Sequence, residues 1–125
     1  CHNIPLFTVN GFFNNGIDSV ESLDDFEDLG RGAVTGNRLD NGQFRPPSLR
    51  NIELTAPYMH DGRFKTLDEV LDHYNSGGHY ARNLDANIRE LGLTEEHKEA
   101  IIAFLKTLTD TTFTQNPAYS SPYKD

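Results

Sequence analysis

Two places in the chain concentrate side chains able to hold a metal. The first is the amino end, Cys1-His2. A cysteine followed directly by a histidine closes the C-x-x-C-H pattern that attaches a c-type haem, with the histidine as ligand to the iron. The dipeptide alone leaves two other readings open, a cut boundary without chemical meaning and a solvated terminal histidine. The second place is Ala56 to Phe64, "APYMHDGRF", where the only methionine, Met59, stands among Tyr58, His60, Asp61 and Arg63. Met59 is the thioether that a simple soluble cytochrome c would place on the far side of the iron. His73 and His79 lack further ligands at a convincing zinc spacing and read as surface residues, and His97, among charges, reads as solvated.

The elements that must position these groups are few. A length of 125 residues points to one domain, and the single cysteine rules out an internal disulfide. The composition is 36% hydrophobic with eight Phe, five Tyr and no Trp. That supports a modest core which a bound prosthetic group would enlarge. The formal charge of −8 repels phosphate backbones and argues against nucleic-acid binding. No apolar run approaches the ~20 residues of a membrane span, and no signal peptide is recognisable.

Residues 3 to 20 read as a loop punctuated by Pro5, Gly11, Asn14, Asn15 and Gly16, yet carrying Phe7, Phe12 and Phe13. Leu23, Phe26 and Leu29 recur at helical intervals, so a short helix is expected over 21–29. "GRGAVTGNRLDNGQFRPP" reads as irregular, and Pro46-Pro47 hold the chain extended towards Leu49. Thr66 to Glu69 fits a capping box opening a helix whose face carries Leu67, Val70, Leu71 and Tyr74, with Gly77-Gly78 ending it. Thr94 caps a second helix, Glu95 and Glu96 complement its dipole, and Ile101, Phe104, Leu105 and Leu108 form its apolar stripe. Between the two helices, "GGHYARNLDANIRELGL" either packs or carries partner contacts. Residues 111–125 read as a polar tail lying on the surface. The expected class is all-α, with few helices and long loops of the kind that wrap a flat apolar cofactor.

Cys1-His2, "RPPSLRNIELTAPYMHDGRFKTLDEVLDHY" and "LTEEHKEAIIAFLKTLTD" together resemble the C-terminal haem domain of bacterial di-haem cytochrome c peroxidases, within them the MauG-like branch. The resemblance runs from residue 1 to about Asp110. It implies a cytochrome c-like domain over 1–125, preceded in the parent by an N-terminal haem domain, with this chain starting inside the second attachment motif. It implies a periplasmic oxidoreductase in which the N-terminal haem reacts with hydrogen peroxide and the C-terminal haem relays electrons or oxidising equivalents. The catalytic pocket would lie in the other domain, leaving no catalytic residue here. Cys1 would be the second thioether cysteine of a haem c, whether or not this piece retains the cofactor, and His2 the proximal iron ligand.

For the sixth position the family pattern points past Met59 to the helix after "HDG", where Tyr74 stands; Met59 remains the alternative. A phenolate is hard and anionic and favours ferric iron, whereas a thioether is soft and favours the reduced state. The resemblance further implies a calcium ion between the two haems, held partly by the backbone carbonyls of Thr55 and Pro57. Arg50 would pair with a haem propionate or serve a structural ion pair. His60 would fix its loop by hydrogen bonding or lie near the interdomain path. The expected partners are the other haem domain and either a small electron-donor protein or a substrate protein. Two other functions stay open: a mono-haem electron carrier with His2 and Met59 as ligands, and a haem-free binding module. Without the resemblance, Tyr74 reads as a core aromatic on the apolar helix face.

Overall fold

The computed structural model describes residues 1–121 and Tyr123; positions 122, 124 and 125 of the expected tail lie outside the described residues. Among the described residues the regular elements are helices: α1 (Arg31–Thr35), α2 (Leu67–Asn75), α3 (Glu95–Lys106) and α4 (Thr111–Thr114). Single 3-10 turns cover Arg38–Asp40, Ile52–Leu54 and Pro117–Tyr119, and the extended segments meet only at isolated bridges.

The two long helices begin where their caps dictate. The Thr66 hydroxyl accepts from Glu69 N, and the Glu69 carboxylate accepts from Thr66 N at 2.8 Å and Lys65 N at 2.6 Å. The α3 start uses the same device with a different partner: Thr94 Oγ1 accepts from His97 N, and His97 Nδ1 accepts from Thr94 N, each at 3.3 Å. His97 is therefore a cap, though exposed. One tie between the helices is Lys98. It is 5% exposed, and its ammonium lies 2.7 Å from Asp72 on α2 and 2.9 Å from Glu95. A buried lysine is tolerable only with such partners.

The helix expected over 21–29 is absent. Ser22 and Asp28 form local side-chain bonds instead, Asp24 N donating to Ser22 Oγ and Gly30 N to Asp28 Oδ1. Such bonds offer the backbone an alternative to the helix. The apolar residues of the stretch are nonetheless buried: Val20, Leu23, Phe26 and Ala81 form a cluster with Leu29 against it. The short α1 falls in the segment expected to be irregular, and α4 with the last 3-10 turn gives the tail local order, Phe113 and Tyr119 stacking at 5.1 Å. The α3 stripe is only partly covered by the chain: Leu105 is buried, while Phe104 stays 50% exposed.

Two changes test this packing. Gly36 and Gly42 share a left-handed φ, +67° and +69°, but a Cβ at Gly36 meets open space and one at Gly42 meets the Phe26 ring. Gly36→Ala should cost about 1 kcal/mol of backbone strain. Gly42→Ala should cost about 1–3 kcal/mol more through overpacking. Equal losses in denaturant unfolding would show that Phe26 yields freely. The second change concerns Glu69, whose carboxyl is held below its ordinary range first by the Thr66 amide and then by the Lys65 amide. A depressed carboxylate stabilises above its unfolded pKa of ~4.3 and loses that contribution as pH falls through its folded value. The stability gap between the native chain and Glu69→Gln should thus shrink below about pH 4.

Candidate functional site

The crowded stretch is a closed loop. Tyr58 and Phe64 pair across an antiparallel bridge, Tyr58 N donating to Phe64 O at 2.7 Å and Phe64 N to Tyr58 O at 3.4 Å. Between them Met59 and Gly62 take left-handed φ values of +73° and +71°. Three side chains of this loop reach the segment Phe13–Asp18 and its bridge partner. His60 stacks on Phe44 with ring centroids 3.7 Å apart, and Phe44 exchanges two backbone hydrogen bonds with Phe13. Arg63 donates to Ile17 O, Asp18 and Asp61 at 2.8, 2.7 and 2.6 Å. Met59 turns its sulfur to Asn15.

Asn15 is the junction. Its Nδ2 lies 3.4 Å from Met59 Sδ and 3.3 Å from Tyr74 Oη. A thioether can only accept, so the nitrogen, not the oxygen, of the amide must face it. The Asn15 main-chain carbonyl accepts from His73 Nε2 at 2.9 Å. Consecutive residues of α2 thus grip one residue of the loop. Burial pushes the Tyr74 phenol above its ordinary value, and the Asn15 amide pulls the other way. The two expected alternatives for the sixth iron ligand therefore stand at one amide group.

At the amino end, His2 Nδ1 lies 3.0 Å from Phe7 O. A carbonyl only accepts, so Nδ1 carries the proton and Nε2 is left as a metal-binding nitrogen when the ring is neutral. Phe7 itself has φ +53° and packs its ring 6.1 Å from Phe104 of α3. Residues 5–8 are laid along 46–50: Thr8 donates to Pro46 O, Ser48 to Leu6 O and Arg50 Nη2 to Pro5 O.

No protein-family model matches the chain. Individual proteins do. A cytochrome-c peroxidase IdrP1 of Denitromonas iodatirespirans is 34% identical over 136 aligned positions, covering 89% of this chain and 36% of that protein. The methylamine utilization protein MauG of Methylorubrum extorquens is 35% identical, covering 86% of this chain and 30% of its own length. A cytochrome c551 peroxidase of Nitrosomonas europaea is 37% identical, covering 87% and 29%. The crystal structure of a MauG-like protein associated with microbial copper homeostasis superposes with a TM-score of 0.83 at 38% identity, over 91% of this chain and 37% of that one. The chain belongs to the cytochrome c peroxidase and MauG-like family. It spans about a third of the length of these relatives.

Within this family domain the other expected residues fall as follows. Cys1 is exposed with a free thiol. Arg50 is exposed; its guanidinium donates to the Pro5 carbonyl and lies 5.7 Å from the Phe7 ring centroid, so it braces the segment carrying His2. Thr55 and Pro57 are exposed, and among the described residues neither carbonyl accepts a hydrogen bond. Among the described residues no three His, Cys, Asp or Glu side chains gather as a metal cluster. His60 is exposed and stacks on Phe44; among the described residues its ring makes no hydrogen bond, so the expected hydrogen-bonded anchoring of the loop is not found. His73, read as a surface residue, is 8% exposed; burial lowers its pKa, and it packs 5.6 Å from the Phe64 ring. His79 is exposed.

Asn14 and Asn15 were legible only as turn residues. Asn14 is 2% exposed and bonds Asn83 Oδ1, while its own Oδ1 accepts from Gly16 N. The signal was an Asn-Asn-Gly run lodged among phenylalanines, where buried amides must find partners. The Arg63 fork yields a measurable consequence. A lysine cannot reproduce three donors in one plane, so Arg63→Lys should cost about 1 kcal/mol in denaturant unfolding. It should also speed amide exchange at Tyr58 and Phe64. Unchanged exchange would mean that the bridge alone holds the loop.

Proposed function

We propose that this chain is a cytochrome c-like haem domain, the C-terminal one, of a periplasmic di-haem peroxidase-family oxidoreductase. It relays electrons or oxidising equivalents to the peroxide-reacting haem of the companion domain. The observation that supports the reading is the meeting of Tyr74 and Met59, the two candidate sixth ligands, at the Asn15 amide. A domain with both axial positions filled suits electron relay rather than peroxide binding. The family relationship supports a peroxidase-type parent, and the coverage of about a third supports a companion domain.

The donor chemistry fits a haem c. Cys1 offers a thiol for one thioether, and His2 presents Nε2 because Phe7 O holds the proton on Nδ1. A backbone carbonyl that accepts from the outer ring nitrogen orients a ligand imidazole in this way. Phe7 and the half-exposed Phe104 supply apolar rings beside His2. When bound, the haem supplies one-electron chemistry whose potential the axial ligands set. Tyr74 is the better candidate for the sixth position because an anionic oxygen stabilises ferric iron. Calcium, a hard cation, fits the two unengaged carbonyls of Thr55 and Pro57 with further oxygen ligands from the companion domain. The partners are that domain and a small electron donor or a substrate protein.

The second reading, a mono-haem electron carrier with His2 and Met59 as ligands, draws on the Met59 sulfur standing at the same amide. Tyr74→Phe in the haem-loaded full-length protein separates them. The expected outcome is a changed ferric spectrum of one haem, with no sulfur-to-iron absorption band in the unsubstituted protein. A spectrum that Tyr74→Phe leaves untouched, or a sulfur band already present before substitution, overturns the tyrosine assignment in favour of Met59.

A further inference from the structure

We propose that Asn15 is the positioning residue that decides which side chain takes the sixth position, presenting the Tyr74 oxygen and holding the Met59 sulfur back. The inference rests on the haem-domain reading and deepens it.

A primary amide has two hydrogens on one nitrogen. Here that nitrogen lies 3.3 Å from Tyr74 Oη and 3.4 Å from Met59 Sδ. The phenol oxygen and the sulfur, both acceptors, are therefore no further apart than these two contacts laid end to end. The amide is not free to follow either one. Its residue is fixed from behind by His73 Nε2 on the main-chain carbonyl, and its neighbour Asn14 is buried and bonded to Asn83. Met59 is fixed too, by a loop closed at Tyr58–Phe64 and docked through His60 and Arg63.

The amide does not treat its two acceptors alike. A hydrogen bond to an oxygen carrying negative charge is about twice as strong as a neutral one, and a thioether is a weak acceptor. With Tyr74 on the metal, Asn15 strengthens the bound state through the oxygen and keeps the sulfur occupied at the same time. With Met59 on the metal, it would lose the sulfur contact and gain only a neutral phenol. The bias runs towards Tyr74 on both counts.

The test uses the haem-loaded full-length protein and reads ligand identity by near-infrared absorption and paramagnetic resonance. Asn15→Leu removes both donors and keeps the size. Asn15→Asp keeps the shape but turns an oxygen towards each acceptor. Both leave the carbonyl that His73 holds. The expected result is a sulfur-to-iron band in these variants that is absent from the unsubstituted protein and disappears when Met59→Leu is added. Met59→Leu alone is the control that reports whether sulfur already contributes, and where Asn15→Leu takes up no haem the near-isosteric Asn15→Asp carries the test. A sulfur contribution lost on Met59→Leu alone, or Asn15 variants that load haem with unaltered spectra, overturns the proposal. Failure of the underlying reading looks different: there, the full-length protein carries no haem attached at Cys1, and no iron spectrum exists to change.

Discussion

The segment Phe13–Asp18 is the constraint on which the rest depends. It donates and accepts along nearly every residue. Phe13 pairs with Phe44, Asn14 O accepts from Asp85 N, Gly16 O accepts from His79 N at 2.7 Å, and Ile17 O accepts from Arg63. Three otherwise separate stretches, around 44, around 60 and around 80, are thereby tied to one length of chain. Gly16 illustrates how tightly: a Cβ there would meet Leu84 and the backbone of His79, and its φ is +68°. Ligand-bearing loops cannot be held to useful tolerance by loops alone. Here a buried polar strand takes the role that a sheet plays elsewhere.

Polar ties carry so much because apolar burial is limited. The contiguous core is Val20, Leu23, Phe26 and Ala81 with Leu29, placed towards one side, while Leu67, Leu71 and Leu105 serve the helix pair. Phe12 and Phe104 remain exposed by a third to a half. Net hydrogen bonds contribute only about 1 kcal/mol each, but leaving a buried amide unpaired costs more. Asn14, Asn15 and Asn41 therefore specify the fold chiefly by penalising every arrangement that strands them. Among the described residues no buried side-chain polar atom lacks a partner.

What the sequence makes legible is what local chemistry determines. The Thr66 box and the Thr94 cap are read from three or four adjacent residues, and α2 and α3 follow from them. The alternation of Leu23, Phe26 and Leu29 misleads because period alone does not say whether burial is helical; the acidic turn residues between them close local bonds first. His73 misleads for a related reason. It sits one position off the apolar stripe, and only the approach of Asn15 and Phe64, distant in sequence, buries it. The candidate ligands were legible by type. The residue that joins them was not, since an asparagine in a turn reads the same whether its amide faces water or a phenol.

The choice between Tyr74 and Met59 is likewise not written in either residue. Both stand at one amide, so in the proposed reading the cost of moving each adds to the bias that Asn15 imposes. Tyr74 rides on a capped helix that Lys98 pins two residues earlier, at Asp72. Met59 occupies a left-handed backbone position that costs a side-chain-bearing residue about 1–2 kcal/mol. That position is retained because the Tyr58–Phe64 bridge and the Arg63 fork overdetermine it. In the proposed reading a sulfur on a strained, docked loop is held in place, and the loop that gathers so many ligand-type residues acts through its grip on Phe13–Asp18.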